Sequence, residues 1–272
     1  VESADGTLSS VTVTITGSND AASITNTSTD TSVVEIGVGV AGDSNANGKL
    51  SVTDVDNTDT TFSLVTGQTL AGTYGTFTFA DDGTWTYTLD QTLLATQELN
   101  DGDAPTESLV VQSFDGTEHT ITVDITGSND AAIIAGDDTG SVVEAGVGVA
   151  GDSNANGKLS VTDVDNTDTT FSLVTGQTLA GTYGTFTFAD DGTWTYTLDQ
   201  TLLATQELND GDAPTESLVV QSFDGTEHTI TVDITGSNDA AVVLSADVTL
   251  TETDTALSTG GKLTASDVDN VD

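Results

Sequence analysis

Six residues, Gly127-Ser128-Asn129-Asp130-Ala131-Ala132, also stand at Gly17 to Ala22 and at Gly236 to Ala241. They divide the chain into tandem copies of about 109 residues, and the run from Gly37 to Ala132 recurs without a change from Gly146 to Ala241. Self-similarity at a fixed period constrains a fold more than any single motif, because each copy has to be one structural unit that chains to the next. The spacing places the tail of one unit at 1–20, whole units at 21–130 and 131–239, and the head of another at 240–272. Both ends stop inside a unit, so the chain reads as a window on a longer array. Near-identical neighbours risk exchanging strands as they fold. An array that keeps them is expected to serve length or stiffness rather than separate chemistries.

Within a unit the pattern is strand and turn. Thr, Val, Ile, Phe and Tyr fill the runs, and Gly, Asp and Asn fill the gaps. Ser32-Val33-Val34-Glu35 reads as a short first strand, followed by Lys49 to Thr53 and Thr61 to Leu64. The clearest hairpin is Thr76-Phe77-Thr78-Phe79, the turn Ala80-Asp81-Asp82-Gly83, and Thr84-Trp85-Thr86-Tyr87-Thr88-Leu89. Its alternation puts Phe77, Phe79, Trp85, Tyr87 and Leu89 on one face and the threonines on the other. Asp90 to Leu99 is the one helical-looking stretch, with Asp90 as its cap and Leu93, Leu94 and Leu99 as its buried side. Glu107 to Phe114 and Glu118 to Thr126 complete about seven strands, which predicts an all-β, antiparallel, immunoglobulin-like β-sandwich, repeated end to end. Strands of about seven residues span roughly 23 Å, so stiff joints would turn the array into a rod.

The net charge is −41, from 44 acidic residues against three lysines and no arginine. Such a surface repels phosphate backbones and acidic lipid, so nucleic acid is excluded as a partner. Disorder needs low hydrophobicity as well as high charge, and here 35% of residues are hydrophobic and regularly alternating. There is no cysteine, hence no disulfide to staple an extracellular module, and Ca²⁺ is the natural substitute. No run of residues is long and apolar enough to insert in a membrane.

The acids gather in turns: Asp54-Val55-Asp56-Asn57-Thr58-Asp59, Asp101 and Asp103, Asp115, Asn129-Asp130, and Glu35 at a strand end. Ca²⁺ takes six to eight oxygens from carboxylates, amides and carbonyls. Loops of a sandwich fall at its two ends, so acids of one unit, the linker and the next unit can meet at a joint. Asp and Asn also simply make good turns, which suffices for a lone pair such as Asp82-Gly83. It does not suffice for Asp54 and Asp56 with Asn129-Asp130, since unneutralised carboxylates would splay a joint. A second loop, Asp43-Ser44-Asn45-Ala46-Asn47-Gly48 with Asp54, has EF-hand spacing. Its flanks read as strand and only one of its first six positions is charged, so a flexible Asn/Gly turn is the preferred reading.

The order Asp54-Val55-Asp56, Tyr74-Gly75-Thr76-Phe77, Asp82-Gly83-Thr84-Trp85-Thr86-Tyr87-Thr88-Leu89, Phe114-Asp115-Gly116 and Ile121 to Ala131 resembles the VCBS repeat of large secreted bacterial surface proteins, notably RTX adhesins. The resemblance covers the whole chain. It implies a cadherin-like sandwich that extends from the cell surface toward a distal ligand-binding region, with neighbouring repeats as its partners. Carried over by position, it implies Ca²⁺ ligands at three joints. The joint between the whole units would use Glu35, Asp101, Asp103, Asn129, Asp130, Asp163, Asp165 and Asp224. The preceding joint would use Asn19, Asp20, Asp54, Asp56 and Asp115. The following joint would use Glu144, Asp210, Asp212, Asn238, Asp239, Asp267 and Asp269. The linker has Gly127-Ser128 before the Asn and Ala131 after the Asp, short of the fuller acidic cadherin motif. That departure favours one or two ions per joint over three.

Two other function classes can be weighed from the residues. A carbohydrate- or protein-binding module would use Trp85, Tyr87 and Tyr74 as exposed aromatics, which their alternation argues against. Against an enzyme, each unit has one histidine, His119 or His228, in a strand beside Glu118 or Glu227, which points the other way, and a partly buried or cross-strand histidine is the preferred reading. No nucleophile motif or phosphate loop accompanies it, and acid–base work on glycosides needs a carboxyl in an apolar pocket. The expectation is no enzyme.

Overall fold

A computed structural model describes residues 1–27, 30–245 and 247–270. The chain forms two compact units, Val1–Asp130 and Ala131–Asp272. In the first, the strands are β1 (Ser23–Asn26), β2 (Ser32–Val34), β3 (Asn45–Thr53), β4 (Phe62–Leu64), β5 (Gly75–Phe79), β6 (Thr84–Leu89), β7 (Thr106–Ser113) and β8 (Glu118–Thr126), with a single helical turn α1 (Leu94–Gln97) between β6 and β7. They make two four-stranded sheets, β1-β3-β6-β5 and β2-β8-β7-β4. The second unit repeats this with β9 (Ile133–Gly136), β10 (Thr139–Val143), β11 (Asn154–Thr162), β12 (Phe171–Leu173), β13 (Gly184–Phe188), β14 (Thr193–Leu198), α2 (Leu203–Gln206), β15 (Thr215–Ser222) and β16 (Glu227–Thr235), and adds the pair β17 (Val242–Leu244) and β18 (Thr264–Ser266).

The expected alternation decides which side chains fill the space between the sheets. In β6 Trp85, Tyr87 and Leu89 are buried and the three threonines exposed. Phe77 lies opposite Tyr87 and Phe79 opposite Trp85. Leu50, Val52, Leu109, Val111, Ile121, Val123 and Ile125 close the core from both sheets. Burying a side chain of this size contributes roughly 1.5–3 kcal/mol. Trp85 and Tyr87 have no exposed surface, so they cannot present a binding platform, and Tyr74 is half-buried against the core.

Four local expectations are corrected. First, β1 precedes the strand read as first, and the chain then crosses sheets. Its next stretch, β2, runs parallel to β8, so each sandwich is antiparallel except at this one pairing. Second, the segment after β6 does not begin as a capped helix at Asp90. That carboxylate accepts bonds from the Thr92 N–H (2.9 Å) and hydroxyl (2.7 Å), a local turn that competes with helix. Leu94 is 63% exposed, and Leu99 alone of the three leucines is buried. Third, β7 ends at Ser113, and Phe114 projects into solvent at 65% exposure. Fourth, Asn45 to Gly48 is not a flexible turn but the first part of β3. These residues pair in register with Thr88 to Trp85. The second unit shows why a glycine stands there: a Cβ on Gly157 would come within 2.6 Å of Trp194 Nε1.

Candidate functional site

The second unit holds one predicted ligand set entire. β10 delivers Glu144, whose N–H bonds the Thr235 carbonyl at the end of β16 (2.9 Å). Its side chain is fully buried, and one carboxylate oxygen accepts the Ser237 N–H at 3.1 Å. The loop after α2 folds under the same segment. The Asp212 carboxylate caps the Asn209 N–H (2.8 Å), its carbonyl takes the Gly236 N–H (2.9 Å), and Asp210 accepts from the Asn238 N–H (3.2 Å). The Asn238 amide donates to the Asp239 carbonyl (2.6 Å). From the other side Asp269 accepts the Asp239 N–H, its own N–H bonds Asp267 (3.2 Å), and its carbonyl accepts from Asn209 (3.1 Å). Glu144, Asp210, Asp212, Asn238, Asp239, Asp267 and Asp269 thus gather around four consecutive linker residues, Gly236 to Asp239.

The electrostatics of this cluster are unbalanced. Among the described residues, Glu144 Oε1 and Asp269 Oδ1 are buried without a hydrogen-bond partner. Burial, reinforced by Asp239 and Asp269 and opposed by the Ser237 N–H, pushes the Glu144 carboxyl up to about 7. Burial and then Asp269 and Asp267 raise Asp239 as well. Cations are absent from every interaction described for this cluster, since the lysine ion pairs, Lys49–Asp82 and Lys158–Asp191, lie elsewhere on exposed turns.

The first unit shows the corresponding halves of the other sets. Glu35 is buried and accepts the Ser128 N–H at 3.2 Å. Asp101 accepts the Asn129 N–H (3.0 Å), and Asp103 caps the Asn100 N–H (3.0 Å). Asp130 follows as the last residue of this unit. At its other end Asp56 accepts the Asp20 N–H (2.6 Å), Asp54 accepts the Asp56 N–H (2.9 Å), and Asp115 accepts from Ala22 and, at 3.4 Å, from the Asn19 amide. In the second unit Asp163 accepts the Asp165 N–H (3.0 Å), and Asp224 accepts the Ala132 N–H (3.0 Å).

Among the described residues no three His, Asp or Glu side chains form a ready-made metal cage. The chemistry of the donor set nevertheless fits a hard cation. It offers carboxylate, amide and carbonyl oxygens, two of them buried and unpartnered among the described residues. Sequence reasoning missed Ser128 and Ser237, whose buried hydroxyls face Gly37 and Gly146 so closely that a Cβ on either glycine would come within 2.3–2.4 Å. The threefold Gly-Ser-Asn-Asp signal pointed at them. Gln91 and Gln200 were also missed; their side-chain oxygens hold the N–H of Ile36 (3.1 Å) and Ala145 (3.2 Å), the residues after the buried glutamates.

Residues 129–236 match the family described as bacterial cadherin-like domain. No curated protein matches the sequence. Among solved structures, the chain is similar to the protocadherin gamma B2 fragment of extracellular cadherin domains 3–6, at 11% identity and TM-score 0.42, covering 90% of this chain and 56% of that one. It is similar also to the protocadherin gammaB7 EC3-6 fragment, at 10% identity and TM-score 0.42, covering 81% and 50%. The ectodomain of human desmocollin-1 gives 14% identity and TM-score 0.34, covering 88% and 47%. The chain therefore spans about half the length of these proteins, and the fold assignment rests on the strand topology and the family match. The second unit carries a cadherin-like repeat, and residues 37–127 of the first repeat residues 146–236 of that match without a change.

Proposed function

We propose that this chain is an extender region of a secreted bacterial surface adhesin of the VCBS type, in which Ca²⁺ stiffens the joints between cadherin-like repeats so that a distal region is held away from the cell. The observation that carries the reading is Glu144, a fully buried carboxylate with one oxygen unpartnered among the described residues, beside Asp239 and Asp269. Leaving an ionised group so placed without a counter-charge is costly.

When bound, Ca²⁺ supplies the missing positive charge and draws six to eight oxygens together. Glu144, Asp210, Asp239, Asp267 and Asp269 contribute the charge, and Asn238 and neighbouring carbonyls the neutral oxygens. Asp212 holds the Asn209 turn and the Gly236 N–H, which sets the linker in place. Glu35, Asp101, Asp103, Asn129 and Asp130 are the sequence equivalents of Glu144, Asp210, Asp212, Asn238 and Asp239. With Asp163 and Asp165 they are assigned the same role, as are Asn19, Asp20, Asp54 and Asp56. The role is structural and involves no chemical step. No helix among the described residues is long and apolar enough to cross a membrane.

Extracellular modules bind Ca²⁺ at roughly 10⁻⁴ to 10⁻³ M, and ion at about 100 times the dissociation constant adds about 2.7 kcal/mol per site. Chelation with EDTA should lower the calorimetric melting temperature and change the solution scattering toward a looser particle. Identical melting and scattering with and without Ca²⁺ would overturn the proposal.

A further inference from the structure

Not every acid in the predicted sets is open to an ion. Asp224 accepts four hydrogen bonds. Its Oδ1 takes the Ser222 hydroxyl and the Thr226 N–H (3.1 Å), and its Oδ2 takes the Thr226 hydroxyl (2.7 Å) and the Ala132 N–H (3.0 Å). Asp115 repeats the pattern with the Ser113 hydroxyl, the Thr117 N–H (3.0 Å), the Thr117 hydroxyl (3.0 Å) and the Ala22 N–H (3.0 Å), and its Oδ2 takes a fifth, longer bond from the Asn19 amide (3.4 Å). A carboxylate has about four lone-pair directions, so both groups are saturated. Glu144, with an oxygen left open in the same unit, is the contrast.

The turn does not need the linker in order to form. Ser3-Ala4-Asp5-Gly6-Thr7 has the same pattern, and Asp5 Oδ1 accepts from the Ser3 hydroxyl and the Thr7 N–H (3.1 Å). The Ser-x-Asp-Gly-Thr turn thus closes on Oδ1, and Oδ2 is left to reach outward. In both copies what it reaches is the amide two residues beyond the Asn-Asp pair, Ala22 or Ala132. Burial raises the Asp224 carboxyl, yet these bonds prevail and hold it at about 2.

We propose that Asp115 and Asp224 are positioning residues rather than ion ligands: each is an ion-independent clamp that fastens the start of a repeat to that repeat's own Ser-x-Asp-Gly-Thr turn. Each linker then has two fastenings of different kinds. One is made of hydrogen bonds and persists without cations, and the other is left to the acids with open oxygens.

The test uses the whole 272-residue chain. In EDTA, Asp224→Asn should speed exchange of the Ala132 amide roughly tenfold, the loss of one charge-assisted hydrogen bond. The number of Ca²⁺ ions in a calorimetric titration should stay as in the parent, and so should the rise in melting temperature on adding Ca²⁺. One ion fewer, or unchanged Ala132 exchange, would overturn the clamp. A second measurement needs no variant: on adding Ca²⁺ to the parent chain, the carboxyl ¹³C resonance of Glu144 should move and that of Asp224 should not. Movement of the Asp224 resonance would equally overturn it. Should the parent bind no Ca²⁺ at all, the extender mechanism fails, and the exchange measurement in EDTA still decides the clamp.

Discussion

Replacing Glu144 by glutamine should stabilise the chain in one buffer and weaken it in another. The carboxyl moves from its ordinary 4.5 to about 7 on folding, chiefly because it is buried. The folded form therefore holds its proton more tightly. The stability this proton confers is complete below about 4.5 and is lost as pH rises through about 7. At pH 8 without divalent ions the ionised side chain costs at most about 3 kcal/mol, at roughly 1.36 kcal/mol per pH unit. Glu144→Gln keeps an oxygen for the Ser237 N–H and turns an amide toward the acids. It should raise the melting temperature of its unit by about 5–10 °C in EDTA at pH 8. Between pH 4.5 and 7 the parent should lose stability that the variant keeps, so their curves converge on the acid side. In millimolar Ca²⁺ the order should reverse, since the parent regains about 2.7 kcal/mol at 100 times the dissociation constant and the variant gains less. Calorimetry over that pH range, with and without Ca²⁺, reads all of this. A variant less stable than the parent in EDTA at pH 8 would refute the reasoning.

Two further expectations concern the core. Trp194 donates its Nε1–H to the Asp137 carbonyl at 2.7 Å, whereas Trp85 Nε1 is buried without a partner among the described residues. Trp194→Phe should therefore cost about 1 kcal/mol more than Trp85→Phe in denaturant titrations, and equal costs would contradict it. A Cβ on Gly75 would meet the Thr88 carbonyl at 2.2 Å and the Tyr87 hydroxyl at 2.7 Å. Gly75→Ala should accordingly destabilise the first unit by about 2–3 kcal/mol or leave it unfolded by circular dichroism.

The hairpin of β5 and β6 was legible because Phe77, Trp85 and Tyr87 alternate with threonine, and alternation is a local signal. What stayed hidden depended on partners far along the chain. β1 is Ser-Ile-Thr-Asn, too polar to announce itself, and exists because β3 offers it an edge. The parallel seat of β2 against β8 joins residues about ninety positions apart. Asn47-Gly48 has the composition of a turn, yet the glycine position answers to a tryptophan ring on the neighbouring strand, as Gly157 and Trp194 show. At the candidate site the repeated Asn-Asp and the Asp-x-Asp pairs marked the acids that gather. Composition did not separate open carboxylates from saturated ones, because that depends on where the Ser222 and Thr226 hydroxyls and the Ala132 amide fall.

The second unit buries two glutamates, and they differ in a way that bears on the proposed role. Glu216 takes the N–H groups of Thr182 and Tyr183 (2.9 Å for the latter) on one oxygen and the Tyr196 hydroxyl (2.7 Å) on the other. The fold can therefore satisfy a buried carboxylate from its own donors, and it closes the loop before β13 by doing so. Glu144 is as well buried, with serine, asparagine and glutamine side chains in the surrounding segments, and one of its oxygens still lacks a donor among the described residues. The place also carries Asp239 and Asp269. The comparison gives a control for the first experiment. Glu216→Gln replaces charge-assisted bonds with neutral ones and should lose about 1–2 kcal/mol. It should lose the same amount in EDTA and in Ca²⁺, because nothing about its closed network awaits an ion. If Glu216→Gln reversed sign between the two buffers as Glu144→Gln is expected to, the reversal would reflect buried charge in general rather than a cation at the linker.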